Sequence, residues 1–169
     1  MNQSKVEDEL EFSGGALMDK NFTENAVKLW KKVGTHNIMV LATGSESRIS
    51  ARPMSIIIYD GKFYCQTDES FLKYRQIAKN PNVALSCNNI SIEGKCRIVG
   101  HPLDEDNSFF ADRFKRHFSN SYKMYTAIPT ERLLEITPSL IYLWKYKLLT
   151  PYMEYFDFEN QIYRIEKMA

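Results

Sequence analysis

The chain has 169 residues, 44% hydrophobic and 25% charged, with 22 basic and 21 acidic side chains for a formal net charge of +1. This is the composition of a globular domain long enough to bury a core unaided, and it excludes a disordered chain. The charge balance argues against a dedicated nucleic-acid binder or a protein docking on anionic lipid, both of which need a basic excess.

No apolar run approaches the roughly 20 residues of a membrane span, and the acidic start, with Glu7, Asp8, Glu9 and Glu11, is unlike a signal peptide. A soluble cytoplasmic protein is expected. Cys65, Cys87 and Cys96 are odd in number and lack C-x-x-C spacing, so they read as free thiols, most of them buried.

Residues 1–20 lack periodicity and contain Gly14-Gly15, which predicts a flexible N-terminal arm ahead of a single domain over 21–169. Ala26, Val27, Trp30 and Val33 recur at helical spacing, predicting a helix over 23–33 that Gly34 stops; Asn21 and Glu24 have capping-box character. Strands are expected over 37–43, 48–59 and 62–67, the last two joined by Asp60-Gly61, a strong hairpin signal. A helix over 68–79 ends at Asn80-Pro81, and strands over 82–88 and 91–100 follow. Two helices, 104–118 and 120–127, precede a long strand over 133–146 and a hairpin within 152–167 around Glu159-Asn160. Antiparallel strands in succession with helices inserted between them indicate a mainly β (α+β) domain, a six-stranded antiparallel split β-barrel with flanking helices.

A two-residue turn at Asp60-Gly61 pairs Tyr59 with Lys62, and extending that register sets Met54 opposite Thr67 and Arg52 opposite Glu69. Arg52, Met54, Ile56 and Ile58 then share a face with Phe63, Cys65 and Thr67, apolar for most of its length and polar where the strand gives way to the helix. Arg52, Thr67, Ser70, Lys73 and a helix N-terminus are the ingredients of a phosphate site. On spacing alone a structural reading is equally open: Ser70 caps the helix, Lys73 is solvated and Arg52 pairs with Glu69.

The ordered set Arg52-Pro53-Met54-Ser55, Asp60-Gly61, Gln66-Thr67, Lys73, Asn80-Pro81-Asn82-Val83 and Gly100, with Trp144 beyond it, resembles the FMN-binding split-barrel family related to pyridoxamine 5′-phosphate oxidase. The resemblance implies FMN as cofactor, its phosphate held by Arg52, Thr67 and Lys73. Backbone groups of Pro53, Met54, Ser55 and Gln66 would meet the edge of the isoalloxazine ring, and Lys95 would supply a polar side chain near the flavin. Trp144 would come from the partner of a homodimer and pack beside the ring.

Two departures bear on activity. Phe71 stands where the family often has a serine, with Ser70 one position earlier, so the contact of Ser70 with phosphate is the weakest of the set. Relatives that oxidise pyridoxamine phosphate carry a lysine five residues after the strand arginine, and an Arg-x-His motif after the tryptophan. Here the first position is Ile57, and 144–155 contains no such motif. The resemblance therefore implies flavin redox chemistry on some other small molecule, with reduced nicotinamide as electron source; the alternative is a flavin- or haem-binding protein without turnover. A deazaflavin would satisfy the same pattern. No G-x-G-x-x-G, P-loop or H-E-x-x-H occurs, no catalytic side chain is identified, and the scattered His36, His101 and His117 do not suggest a metal site.

Overall fold

The computed structural model describes residues 22–168; the expected N-terminal arm and Asn21 lie outside them. Helix α1 (Phe22–Val33) is followed by strands β1 (His36–Ser45), β2 (Arg48–Tyr59) and β3 (Lys62–Asp68), helix α2 (Leu72–Lys79), and strands β4 (Asn82–Cys87) and β5 (Ile90–Ile98). A 3₁₀ turn leads into α3 (Ser108–His117) and α4 (Ser119–Tyr125), and β6 (Glu131–Lys147), β7 (Thr150–Asp157) and β8 (Ile162–Lys167) complete the chain. All ladders are antiparallel, in the order β3-β2-β1-β4-β5-β6-β7-β8, and β3 also pairs with β6. That last pairing closes six strands into a barrel and leaves β7 and β8 as an extension.

The hairpin forms as its sequence dictates. Asp60 and Gly61 adopt φ of 48° and 70°, the left-handed pair of a type I′ turn, whose twist matches the flanking strands. Ile57, Ile58 and Tyr59 pair with Tyr64, Phe63 and Lys62. The ladder then stops. β2 continues against β1 as far as Arg48, whereas β3 continues against β6, from Phe63 opposite Ile136 to Asp68 opposite Glu131. The extended register is therefore corrected: Met54 does not pair with Thr67, nor Arg52 with Glu69, because beyond Ile57 the two strands part.

Two clusters fill the fold. The barrel interior holds Met39, Leu41, Ile56, Ile58, Phe63, Cys65, Leu85, Ile92, Leu134, Ile136 and Ile141. Outside, Ile57, Tyr64 and Leu133 pack against Phe110 and Phe114 of α3. β3 is thus buried on both faces, which explains why its sequence runs apolar without clean alternation. α1 buries Ala26, Leu29 and Val33 rather than the expected Val27, which is half exposed; Trp30 packs at one end of the barrel, 5.6 Å from the Phe63 ring.

β6 changes partner along one edge. Its first half, Glu131–Ile136, closes the barrel on β3, and its second half, Leu140–Lys147, pairs with β7. A bulge between Glu93 and Gly94 of β5 lies at the junction, opposite Pro138, where a proline can sit because the ladder is interrupted.

Candidate functional site

Where β2 and β3 diverge, they enclose a cavity of about 510 Å³, within the ~300–1,000 Å³ of small-molecule sites. Pro53, Met54 and Ser55 form one wall, and Gln66, Thr67, Asp68, Ser70 and Lys73 the other; Phe114, Tyr125 and Glu131 come from α3, α4 and β6. Seven residues named from the sequence thus line one space. The divergence also leaves the β2 edge at Pro53–Ser55 without a strand partner on the β3 side, so backbone groups there are available to a ligand.

Arg52 does not line the cavity but lies close enough to Lys73 for the two charges to repel. Its Nη1 donates to the Leu41 carbonyl (3.1 Å) and to Thr43 Oγ1 (2.7 Å), and its Nη2 donates to Ser50 Oγ. Gln76 of α2 accepts from both hydroxyls, at 2.7 and 2.8 Å, and donates to the Arg48 carbonyl. The guanidinium is locked by neutral groups and not by Glu69, which pairs with Arg132 at 2.8 Å. Lys73, on the first turn of α2, is half-buried, with its ammonium 4.5 Å from the Phe71 ring centroid. Burial lowers the pKa of Arg52, and burial together with the nearby Arg52 charge lowers that of Lys73. Among the described residues, no carboxylate forms an ion pair with either.

Two neighbouring, partly desolvated cations without a paired carboxylate call for an added anion. A phosphate monoester fits this donor set: Arg52 and Lys73 supply charge, Thr67 a hydroxyl, and the first turn of α2 unpaired N–H groups. The helix starts at Leu72 rather than at 68, with Phe71 at its N-cap and no side-chain cap. Ser70 therefore does not cap α2; its backbone N–H and hydroxyl turn to the Asp68 carboxylate instead.

Besides Arg52, which does not line it, two sequence-named residues stand apart from this space. Lys95 points outward from β5 at the register position of Asn82 and Thr137, and lines different surface depressions. Trp144 is 40% exposed on β6, beside Tyr146, and does not line this cavity.

Glu131 is the residue the sequence reading missed. It opposes Asp68 across the β3–β6 ladder and is 4% exposed. Burial and the Asp68 charge push its carboxyl from its ordinary 4.5 up to about 7, against the opposing pull of Lys73 and the Gln66 amide. Gln66 is itself fixed by Thr126, whose hydroxyl donates to its Oε1 at 2.9 Å. The only signal in the sequence was a strand extending two residues further toward its N-terminus than its apolar run.

A raised carboxyl has a definite consequence for stability. Between pH 4.5 and 7 the unfolded chain releases a proton that folded Glu131 keeps, so this group's contribution falls as pH rises through that window. Glu131→Gln is expected to be more stable than the wild type at pH 8 by about 1–3 kcal/mol, with no difference at pH 4. Urea unfolding at the two pH values measures both.

All three cysteines are free, and burial pushes Cys65 up to about 12 and raises Cys96 as well, so these two are not reactive thiols. Among the described residues no group of three or more His, Cys, Asp or Glu is arranged to hold a metal, and no helix is long and apolar enough to cross a membrane.

Comparisons with known proteins agree on one fold. General stress protein 26 from Bacillus anthracis shares 25% identity over 65% of this chain and 84% of its own, with a TM-score of 0.52. PhzG from Burkholderia lata, solved in complex with tetrahydrophenazine-1-carboxylic acid, shares 12% identity over 87% of this chain and 90% of its own, with a TM-score of 0.57. A pyridoxamine 5′-phosphate oxidase-related, FMN-binding protein from Nostoc punctiforme shares 12% identity over 78% and 86%, with a TM-score of 0.52. No curated protein matches the sequence. The family model described as pyridoxamine 5′-phosphate oxidase matches residues 22–145, most of the chain, from α1 through the barrel-closing strand. The chain belongs to the pyridoxamine 5′-phosphate oxidase family.

Proposed function

We propose that this protein is an FMN-binding flavoprotein, working as a cytoplasmic homodimer, that carries out flavin redox chemistry on a small molecule with reduced nicotinamide as electron source. The observation that carries the reading is Lys73 on the wall of a cavity opened by two parting strands, with the Arg52 charge close behind it. The FMN-binding relative from Nostoc punctiforme, with the same fold, supports it.

The residues divide the work by chemistry. Arg52, Lys73 and Thr67 would hold the phosphate, while Pro53, Met54, Ser55 and Gln66 would line the space for the ring. FMN, when bound, supplies the electron transfer, so the protein's task is to orient it and exclude water. A second subunit would bring Trp144 toward the site; the outward Ile38, Val40 and Ile49, 51%, 43% and 80% exposed, offer apolar surface for such pairing. The substrate is not pyridoxamine phosphate. Ile57, at the position where oxidases place a phosphate-binding lysine, is fully buried against Phe110 and Phe114.

An absorbance spectrum of the purified protein, with mass spectrometry of the released ligand, tests the cofactor. A flavin spectrum and the mass of FMN are expected. A haem Soret band, or a colourless protein that does not quench added FMN fluorescence, would overturn the proposal. Oxidation of NADH or NADPH by the FMN-loaded protein separates turnover from storage.

A further inference from the structure

We propose that Glu131 is a further ligand-binding residue of the cavity: filling the cationic end with a phosphate dianion drives one proton from solvent onto its carboxylate. The inference rests on the phosphate-binding reading above and adds to it a group that the sequence motif does not contain.

The geometry selects Glu131. Its side chain closes the cavity wall from β6, and among the described residues no basic group lies within 4.0 Å of it. Around it are Asp68 and Cys65 of β3 and Lys73 of α2, with Tyr125 of α4 lining the same cavity; the neutral amide of Gln66 hydrogen-bonds to it. Arg52 of β2 lies behind Lys73 and repels its ammonium. Two cations and two carboxylates leave this end close to neutral before anything binds. A dianion reverses the balance, and one of the two carboxylates must then give up its charge.

Asp68 is not that group. It is only partly buried, it accepts from the Ser70 N–H at 2.8 Å and from the Thr130 hydroxyl, and these bonds hold its carboxyl down at about 2. Glu131 is buried and already costly to ionise. Cys65 stays a thiol, and Arg132, next in sequence, is engaged by Glu69. The proton therefore settles on Glu131, no covalent bond changes, and affinity and protonation are linked reciprocally.

Titration with riboflavin 5′-phosphate between pH 7 and 8.5 reads the linkage, because the ligand's phosphate, with a second pKa of about 6, is already doubly charged there. Wild-type affinity is expected to fall about five- to tenfold per pH unit, while Glu131→Gln binds with nearly constant affinity. Calorimetry at pH 7.5 in buffers of different ionisation enthalpy is expected to show uptake of more than about half a proton by the wild type and close to none by Glu131→Gln. Binding without uptake in the wild type, or equal uptake in both proteins, overturns this inference and leaves the flavin reading standing. No binding at any pH overturns both. Should Glu131→Gln not fold, carboxyl-13C glutamate spectra of the wild type decide: one carboxyl titrating near 7 and moving up on adding the ligand supports the assignment, and its absence refutes it.

Discussion

Replacing Arg52 or Lys73 by alanine is expected to weaken binding of riboflavin 5′-phosphate by about 10- to 150-fold each, the loss of about 1.5–3 kcal/mol for a charge-assisted hydrogen bond. The two losses have different origins. Arg52 is pinned by Leu41, Thr43 and Ser50, with Gln76 holding the two hydroxyls from behind. It presents its remaining donors without reorganisation, so its removal also frees the Thr43–Ser50–Gln76 network. Lys73 approaches the Phe71 ring and feels Glu131 and Asp68 without an ion-pair contact, and its removal takes away charge with little rearrangement. Arg52→Lys is therefore expected to recover only part of the affinity, since an ammonium cannot satisfy the Thr43, Leu41 and Ser50 acceptors and the ligand together. Removing either cation also relieves the other of like-charge repulsion, so the double variant is expected to lose less than the sum of the two. Fluorescence quenching at fixed ionic strength measures all four proteins.

Gly94→Ala is expected to destabilise the fold by at least about 3 kcal/mol, among the largest effects of a single methyl group in this chain. A Cβ there would lie 2.4 Å from the Thr137 carbonyl oxygen and 3.1 Å from Pro138 Cα. Both obstacles are backbone, so neither can rotate aside. They belong to the segment where β6 leaves the barrel for β7, held on one side by Ser139 Oγ donating to the Glu93 carbonyl at 3.1 Å and on the other by the Phe158 N–H donating to the Ser139 carbonyl at 2.9 Å. Gly44→Ala is the control: its new methyl would meet the side chain of Ile49 first, at 3.3 Å, and Ile49 is exposed and free to adjust. Chemical denaturation of the two variants should separate them clearly.

The strands and helices were legible wherever a local device wrote them. Asp60-Gly61 specified its turn and the first three pairs of the hairpin, and Gly34, with φ of 82°, stopped α1 where expected. What failed was extrapolation along the ladder. A turn fixes register only as long as its two strands stay together, and here β3 finds its longer partnership with β6, more than sixty residues downstream. No local signal in β3 announces that choice, because barrel closure is decided by the match of distant apolar faces. The same closure delivers Glu131 to the site, which is why a reading organised around residues 52–73 named its cations and missed its buried acid. The start of α2 was misplaced for a nearer reason: Asp68 folds an Asx turn onto Ser70 and takes the residues that looked like a first helical turn.

The account turns on recognition of a phosphate by Arg52 and Lys73, and equilibrium titration of the wild type with riboflavin 5′-phosphate and with riboflavin tests that most directly. The phosphate ester is expected to bind at least about 100-fold more tightly at low ionic strength, with the advantage shrinking as salt is added. Equal affinity for the two compounds would contradict it.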